Sequence, residues 1–206
     1  MRHDVLAHDS HLNTGIIGTK PLIEVLANEG DADLVYRIVA HTTYPSWGYM
    51  LSKGATTMWE SWSGRDSHDH PMQGTVVEFL YRYLAGIRVD EDHPGFPQFL
   101  IKPIFPKGLT RVEARYDSER GPLTSEREQR GNDTLLHVIV PFNTTAHVLL
   151  PPRKRNSCSV MEEEKTLWPS LIKPAEEEEH QTSPISSISP HEITTFKCFV
   201  GSGYRN

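Results

Sequence analysis

Cysteine and long apolar runs are both scarce in this sequence, and each shortage excludes a class of protein. Cys158 and Cys198 are the two cysteines in 206 residues and lie 40 positions apart, so a disulfide framework or a zinc ribbon is excluded. No apolar run reaches the roughly 18 residues of a membrane-spanning helix, and residues 1–15 contain only a short apolar stretch. We therefore expect neither a transmembrane segment nor a signal peptide in this chain, and the compartment stays unknown.

Positive charge is the next shortage. The chain has 21 Lys and Arg residues against 27 Asp and Glu residues, a net charge of -6, and the basic residues are scattered. Because binding to a nucleic-acid backbone or an anionic membrane depends on clustered positive charge, we expect no nucleic-acid partner and no membrane partner. Histidine is plentiful instead. Six of the 11 histidines lie in residues 1–70, which favours a polar, chemically active surface there.

The first 88 residues have the pattern of helices. Thr19 is predicted to cap a first helix, with Pro21 in its first turn and its end at residues 28–30, and Asp31 is predicted to cap a second. A third predicted helix ends before Gly86 and has apolar residues three and four positions apart. These apolar residues are Val76, Phe79, Leu80, Tyr83 and Leu84.

After Gly86 the apolar period changes to two, which is typical of strands. Strands are predicted at residues 111–117, 135–140, 146–150 and 196–200. Turn-forming Gly and Pro residues recur between strands at the roughly 8–12 residue spacing of a β-sandwich. Residues 161–191 contain the acidic runs EEEK and EEEE, and because such a composition buries little apolar area, we expect a solvated insertion loop there.

Glu60 is the carboxylate that the sequence singles out. It stands in the segment GATTMWESWSG, between Trp59 and Trp62. Indole rings exclude water from a neighbouring carboxylate, which suits a general acid or base, and the same rings suit the C–H faces of a sugar. The alternative interpretation is a glutamate at the start of a helix, beside tryptophans that serve only in packing.

A second polar cluster follows in RDSHDHPMQG, where His68 and His70 form a His-x-His pair close to Asp66 and Asp69. Such a pair can ligate a transition metal, but a convincing site needs a third or fourth ligand at a recognisable spacing. The sequence offers none, so we expect no metal. His70 is then either a residue that contacts a substrate or part of a helix cap.

The helical half resembles a known catalytic domain in three segments: HLNTGIIGTKPLIEVL, TTYPSWGYMLSKGATTMWESW and SHDHPMQGTVVEFLYRYLAGI. They are similar to the last part of the (α/α)6 barrel of bacterial-type α-L-rhamnosidases, glycoside hydrolase family 78. The second half resembles the C-terminal β-sandwich of the same family in FLIKPIFPKGLTRVEARYDSERGPLTSE, VPFNTTAHVLLPP and FVGSGY. The resemblance extends from about His11 to Tyr204. It departs at Arg127, since the family usually has a tryptophan after LTSE.

The resemblance implies an α+β fold with two domains. Residues 1–88 would be a partial (α/α)6 barrel remnant, and residues 89–206 an all-β sandwich with the acidic insertion near 161–191. It also implies a glycoside hydrolase site without an organic cofactor. Glu60 would be the general base of an inverting hydrolysis of terminal α-L-rhamnosyl linkages. The residues implied in binding a rhamnose-containing glycan are Trp47, Tyr49, Trp59 and His70.

An inverting glycosidase needs two carboxyl groups, roughly 6.5–9.5 Å apart. The general acid of the family lies in the earlier part of the barrel, so the resemblance implies an incomplete enzyme with little activity alone. We also expect the stripe of Val76, Phe79 and Leu80 to be partly uncovered. Two alternatives stay open. One is a non-catalytic carbohydrate-binding or interaction module that uses Trp47, Trp59 and Trp62. The other is a subunit that complements the missing N-terminal part of the barrel.

Overall fold

The chain folds into two compact units in a computed structural model. The structure describes residues 1–131, 133–149, 160–162, 165–167, 184–188 and 194–201. The helical unit comprises Met1–Leu80 and Phe105–Lys107, and the β unit comprises Tyr81–Ile104 and Gly108–Asn206. The domain ends predicted at residues 88 and 89 stay a proposal.

Five short α-helices precede the strands. They are α1 (Arg2–Ala7), α2 (Ile16–Asn28), α3 (Ala32–Ala40), α4 (Trp47–Ser52) and α5 (Thr75–Phe79). A 3-10 turn, Pro71–Gly74, leads into α5, and a π turn, Leu80–Leu84, follows it. The predicted third helix is therefore confirmed as a helical stretch, although its hydrogen-bond spacing changes twice along its length.

The start of α2 differs from the prediction. The helix begins at Ile16 with Gly15 as its N-cap, so the predicted cap at Thr19 is wrong. The Thr19 hydroxyl lies inside the helix and donates to the Gly15 carbonyl at 2.9 Å, a bond that threonine often makes to the carbonyl four residues earlier. Asp31 occupies the N-cap position of α3, as predicted, but its side chain makes no capping hydrogen bond, and its carboxylate pairs with Arg2 at 2.6 Å instead.

The core of the helical unit lies between α2, α3 and the stretch that begins at Pro71. Apolar residues of α2 and α3 recur on one face of each helix and are buried. They are Leu22, Ile23, Leu26, Leu34, Val35 and Ile38. Val76 and Phe79 of α5 are buried too, because α5 packs on α2 and on the 3-10 turn. The expectation that these two residues are uncovered is therefore wrong, and Leu80 is the exposed member of the stripe.

In the part of the β unit that the structure describes, the strands form two sheets. Its strands are β1 (Ile87–Val89), β2 (Gln98–Ile101), β3 (Arg111–Ser118), β4 (Gly121–Arg130), β5 (Asp133–Val140), β6 (Thr145–Leu149), β7 (Val160–Glu162), β8 (Lys165–Leu167), β9 (Pro184–Ile188) and β10 (Thr194–Gly201). One sheet has the order β1-β2-β6-β9 and the other the order β3-β4-β5-β10-β7-β8. The pairs are antiparallel except β2 with β6. The predicted order of a helical remnant followed by an all-β domain is confirmed.

Strand β4 is the one long strand that the apolar pattern does not predict. Its buried positions are Leu123, Ser125 and Arg127, of which only the first is apolar. The Ser125 hydroxyl donates to the Ala85 carbonyl at 2.7 Å. Burial lowers the pKa of the Arg127 guanidinium to about 10. Polar side chains thus take core positions here, and a pattern of apolar alternation is absent.

The expected solvated loop at residues 161–191 is wrong in part. Within or at the edge of this stretch, β7 pairs with β10, β8 pairs with β7, and β9 pairs with β6. Ladder hydrogen bonds satisfy the backbone whatever the side chains are, so a polar composition does not prevent pairing. The rest of the stretch and Cys158 lie outside the described residues. Among the helices that the structure describes, none is long and apolar enough to cross a membrane.

Two of the histidines pair with each other in the helical unit. The imidazoles of His11 and His41 stack with centroids 4.0 Å apart, and the His41 Nε2–H donates to the Asp9 carbonyl at 3.1 Å. Burial first, and then the neighbouring charge of His11, lower the pKa of His41 below its ordinary value of 6.5. Arg37 acts in the same direction, whereas Asp9 opposes it.

The lowered pKa of His41 predicts a stability that depends on pH. The folded chain binds this proton less well than the unfolded chain. The contribution of His41 to the free energy of unfolding is therefore complete above pH 6.5, and it is lost as the pH falls through the lowered pKa. Urea denaturation of the full chain between about pH 5 and pH 8 measures this dependence. His41→Phe keeps a ring for the stack and should flatten the profile. A His41 that titrates at or above 6.5 by NMR would contradict the prediction.

Gly86 predicts a second effect on stability. Its φ is +78°, and a Cβ on it would collide with the backbone of Lys102 and Pro103. Gly86→Ala should therefore cost about 3 kcal/mol, from backbone strain and overlap together. Gly108 is the matched control, since its φ is +86° but nothing lies within 4 Å of the added atom. Gly108→Ala should cost only about 1–2 kcal/mol. If urea denaturation shows that both variants lose the same free energy of unfolding, then the close contact at Gly86 adds nothing to the backbone strain.

Candidate functional site

Glu60 lies in residues 57–70, called here the 57–70 loop, an irregular stretch whose two segments are joined by backbone hydrogen bonds. The Glu60 N–H donates to the Ser67 carbonyl at 2.8 Å, and the His70 N–H donates to the Met58 carbonyl at 2.9 Å. These two bonds hold the Glu60 segment and the His70 segment side by side. The predicted base and the predicted pocket histidine thus lie on adjacent segments of one loop.

The Trp59 side chain, which precedes Glu60, packs against His68 and Gly64. The buried indole of Trp59 stacks on the His68 imidazole, with centroids 4.7 Å apart and an interplanar angle of 17°. Gly64 lies against the same indole, so closely that a Cβ there would be 2.7 Å from a ring carbon. The His68 Nε2–H donates to the Gly64 carbonyl at 2.9 Å, and the Thr57 hydroxyl donates to the His68 carbonyl. Trp59 is therefore fixed within the 57–70 loop.

Two further indoles tie the 57–70 loop to the rest of the helical unit. Trp62 and Trp47 meet edge to face, with centroids 5.1 Å apart. The Trp62 Nε1–H donates to the Thr14 carbonyl, and the Trp47 Nε1–H donates to the Gln73 carbonyl, each at 2.9 Å. Both rings are buried. Each indole thus satisfies its polar edge while its faces pack, which is how buried tryptophan is normally stabilised.

Glu60 and His70 keep partial contact with solvent. The His70 Nδ1 accepts a hydrogen bond from the Met72 N–H at 3.4 Å, at the start of the 3-10 turn. In the neutral imidazole, a nitrogen that accepts leaves the proton on the other nitrogen. The Nε2–H of His70 is therefore the atom with which it would donate to a ligand.

Tyr49 lies outside the 57–70 loop, on α4. Ser46 caps this helix, since its hydroxyl accepts from the Tyr49 N–H at 3.0 Å. The Tyr49 ring meets Tyr44 edge to face, and the Lys53 ammonium lies 5.3 Å from its centroid. Tyr49 is half-buried. Its link to the 57–70 loop is indirect, through Trp47 of the same helix and the edge contact of Trp47 with Trp62.

The carboxylates near Glu60 in sequence have other surroundings. Asp66 and Asp69 are exposed on the 57–70 loop. Glu78 of α5 pairs with the Lys20 ammonium at 2.5 Å, and this hydrogen bond is the largest influence that raises the pKa of Lys20. Glu60 is thus the half-buried carboxylate of the loop.

The His68–His70 pair does not have the surroundings of a metal site. His68 uses its ring face and its Nε2 within the 57–70 loop, and His70 uses its Nδ1 at the 3-10 turn. In the described part of the chain, no three His, Cys, Asp or Glu side chains come close enough together to hold a metal ion.

Sequence reasoning missed the residues that support the site. Gly64 and His68 hold Trp59, while Thr14 and Gln73 supply backbone acceptors to Trp62 and Trp47. The Ser-Gly dipeptide in SWSG is a turn signal that points to Gly64. The two acceptors are backbone carbonyls, for which no residue type is required, so they leave no signal in the sequence.

Comparisons with known proteins match both halves of the chain. The family model for the bacterial alpha-L-rhamnosidase 6 hairpin glycosidase domain matches residues 1–84. The model for the bacterial alpha-L-rhamnosidase C-terminal domain matches residues 86–165. The two models follow each other in the order that the sequence resemblance implies.

Curated relatives agree with these matches. An alpha-L-rhamnosidase of Streptomyces avermitilis is 37% identical over 156 residues, which are 70% of this chain and 15% of the relative. One from Formosa agariphila is 34% identical over 169 residues, which are 77% of this chain and 18% of the relative. The chain therefore spans less than a fifth of the length of either relative.

Solved structures give the same result. An alpha-L-rhamnosidase from Dictyoglumus thermophilum has a TM-score of 0.77 at 29% identity, over 96% of this chain and 22% of that one. The Streptomyces avermitilis enzyme, solved in complex with L-rhamnose, has a TM-score of 0.75 at 30% identity, over 94% of this chain and 18% of that one. The chain thus belongs to the bacterial α-L-rhamnosidases of glycoside hydrolase family 78, and it corresponds to their C-terminal portion.

Proposed function

We propose that this chain supplies the general-base side of an α-L-rhamnosidase active site. The observation that carries the proposal is the pair of backbone bonds that holds half-buried Glu60 and His70 on adjacent segments of one loop, with the fixed indole of Trp59 next to Glu60 in the chain. The complex of the Streptomyces avermitilis relative with L-rhamnose supports a rhamnose-containing glycan as the substrate.

The reaction is an inverting hydrolysis of a terminal α-L-rhamnosyl linkage. A Glu60 carboxylate oxygen takes a proton from a water molecule while the water oxygen forms a bond to the anomeric carbon. The bond from this carbon to the leaving oxygen breaks, and a second carboxyl group gives its proton to that oxygen. The attack comes from the face opposite the leaving group, so the configuration inverts. Two carboxyl groups and water suffice, and no organic cofactor takes part.

The remaining predicted residues contact the sugar or shape its pocket. The Nε2–H of His70 donates to a rhamnose hydroxyl, since Nδ1 already accepts from the Met72 N–H. Tyr49 contributes its half-buried ring to the pocket wall. Trp47 and Trp59 form the base of that wall, because both are mostly covered by protein. Their role is to fix the shape of the pocket rather than to offer open platforms.

The general acid comes from outside this chain. Asp66 and Asp69 follow Glu60 on the same short loop, and Glu78 is held by Lys20, so none is suited to protonate a leaving group across the sugar. The matching stretch is less than a fifth of the curated relatives. We therefore propose little turnover by this chain alone. Its partner is the earlier part of the six-hairpin domain.

A non-catalytic carbohydrate-binding module has less support. Such a module would present indole faces to solvent, on which sugar rings could lie. Trp47, Trp59 and Trp62 are only 7%, 7% and 8% exposed, and their N–H groups or faces are used within the protein. The burial of these rings favours a structural use and leaves Glu60 and His70 as the groups open to a ligand.

Removal of the carboxylate tests the proposed base. The chain is mixed with the earlier part of a six-hairpin domain, and hydrolysis of an aryl α-L-rhamnoside is measured. Glu60→Gln should lower kcat by about 10²–10⁴-fold and leave rhamnose binding largely intact, because the amide keeps the shape but cannot take the proton. Asp66→Asn is the matched control on the same loop and should leave the rate unchanged.

Two results would contradict the proposal. If Glu60→Gln keeps more than a small fraction of the rate, then Glu60 is not the base. If the chain alone cleaves the rhamnoside at an ordinary enzymatic rate, and loses this activity on Glu60→Gln, then it contains a complete site and needs no earlier barrel.

A further inference from the structure

We propose that His68 is a positioning residue for Glu60: by stacking on Trp59 it holds the backbone that carries the proposed base. The inference rests on the proposed function, since it assigns to Glu60 the role of base. No role in the site follows for His68 from its sequence pattern, which suggests only a metal pair.

The contacts of His68 place it directly beside the Glu60 backbone. Trp59 and Glu60 are consecutive on one segment of the 57–70 loop, and Ser67 and His68 are consecutive on the other. The ring stack joins Trp59 to His68, and the adjacent backbone bond joins Glu60 to Ser67. The stack and this bond are therefore neighbouring links between the same two segments of the loop, so a looser stack releases the bond.

Three separate restraints meet at His68. Its ring stacks on the indole, its Nε2–H donates to the Gly64 carbonyl at 2.9 Å, and its own carbonyl accepts from the Thr57 hydroxyl. The side chain is nevertheless exposed. An exposed imidazole that is held in this way covers one face of the Trp59 indole, and Gly64 also lies close against this indole.

The consequence for catalysis is a matter of precision. A general base must hold its oxygen within hydrogen-bond reach of the attacking water, and a displacement of about 1 Å can cost about 10²-fold in rate. The Nε2 and ring face of His68 are already engaged within the protein. Loss of the stack should therefore affect kcat and not the binding of the sugar.

Hydrogen exchange of the full chain tests the positioning without any need for activity. Three variants are compared by NMR: His68→Ala, His68→Leu and His68→Phe. His68→Ala and His68→Leu lack a flat ring. In these two variants the Glu60 amide should exchange about tenfold faster or more, because its bond to Ser67 opens more often. Phe keeps a flat ring and should stay within about threefold of the unchanged protein. The Ile38 amide in α3 is the internal reference and should not change.

Kinetics with the earlier part of the six-hairpin domain give a second readout. His68→Ala should lower kcat about tenfold or more with KM unchanged, and His68→Phe should restore most of the rate. Asp66→Asn is again the matched control. This split distinguishes positioning of the base from a loss of sugar contacts, which would raise KM.

Several results would overturn the inference. If the Glu60 amide exchanges at an unchanged rate in both His68→Ala and His68→Leu, then the stack does not hold the bond from Glu60 to Ser67. If the Glu60 amide exchanges equally fast in His68→Ala and His68→Phe, then the effect comes from the lost hydrogen bond to Gly64 and not from the lost stack on Trp59. A raised KM with unchanged kcat would make His68 a sugar contact. If the unchanged protein gives no activity with the earlier part, the proposed function fails, while the exchange data still decide whether His68 holds Glu60.

Discussion

The packing of Trp59 against His68 and Gly64 is the constraint on which the candidate site depends. The indole is large and buried, and the carboxylate of interest is on the next residue. The stack at 4.7 Å and the backbone bond from Glu60 to Ser67 at 2.8 Å join the same two segments of the 57–70 loop. A loop without regular secondary structure is in this way given the rigidity of a packed core, as a reacting group requires.

The helical unit supports this loop from outside through tryptophan N–H groups that bond to backbone carbonyls. Trp62 bonds to Thr14, before α2, and Trp47 bonds to Gln73, before α5. Both acceptors stand next to elements of the buried core. The packed helices therefore support the loop that carries the proposed base. In our proposal, this chain holds one carboxyl group of the catalytic pair in place, and the second lies outside it.

The spacing of apolar residues predicts most of the fold, because a helix or strand that is buried on one face has apolar residues at regular intervals. It predicts α3, the stretch from Val76 to Leu84, and strands β3, β5, β6 and β10. It misses β4, where Ser125 and Arg127 occupy buried places, and the short strands in the acidic stretch, where backbone pairing needs no apolar side chain. The motif around Glu60 predicts the centre of the site. The supports of Trp59 follow only from the three-dimensional path of the loop.

An NMR titration of the chain with L-rhamnose tests most directly whether the 57–70 loop is one side of a rhamnose pocket. The account predicts that the amide signals of Glu60 and His70 and the His70 ring signals shift together and saturate with one dissociation constant. D-glucose at the same concentrations should leave these signals in place. Shifts confined to the β unit, or equal shifts with both sugars, would contradict the account.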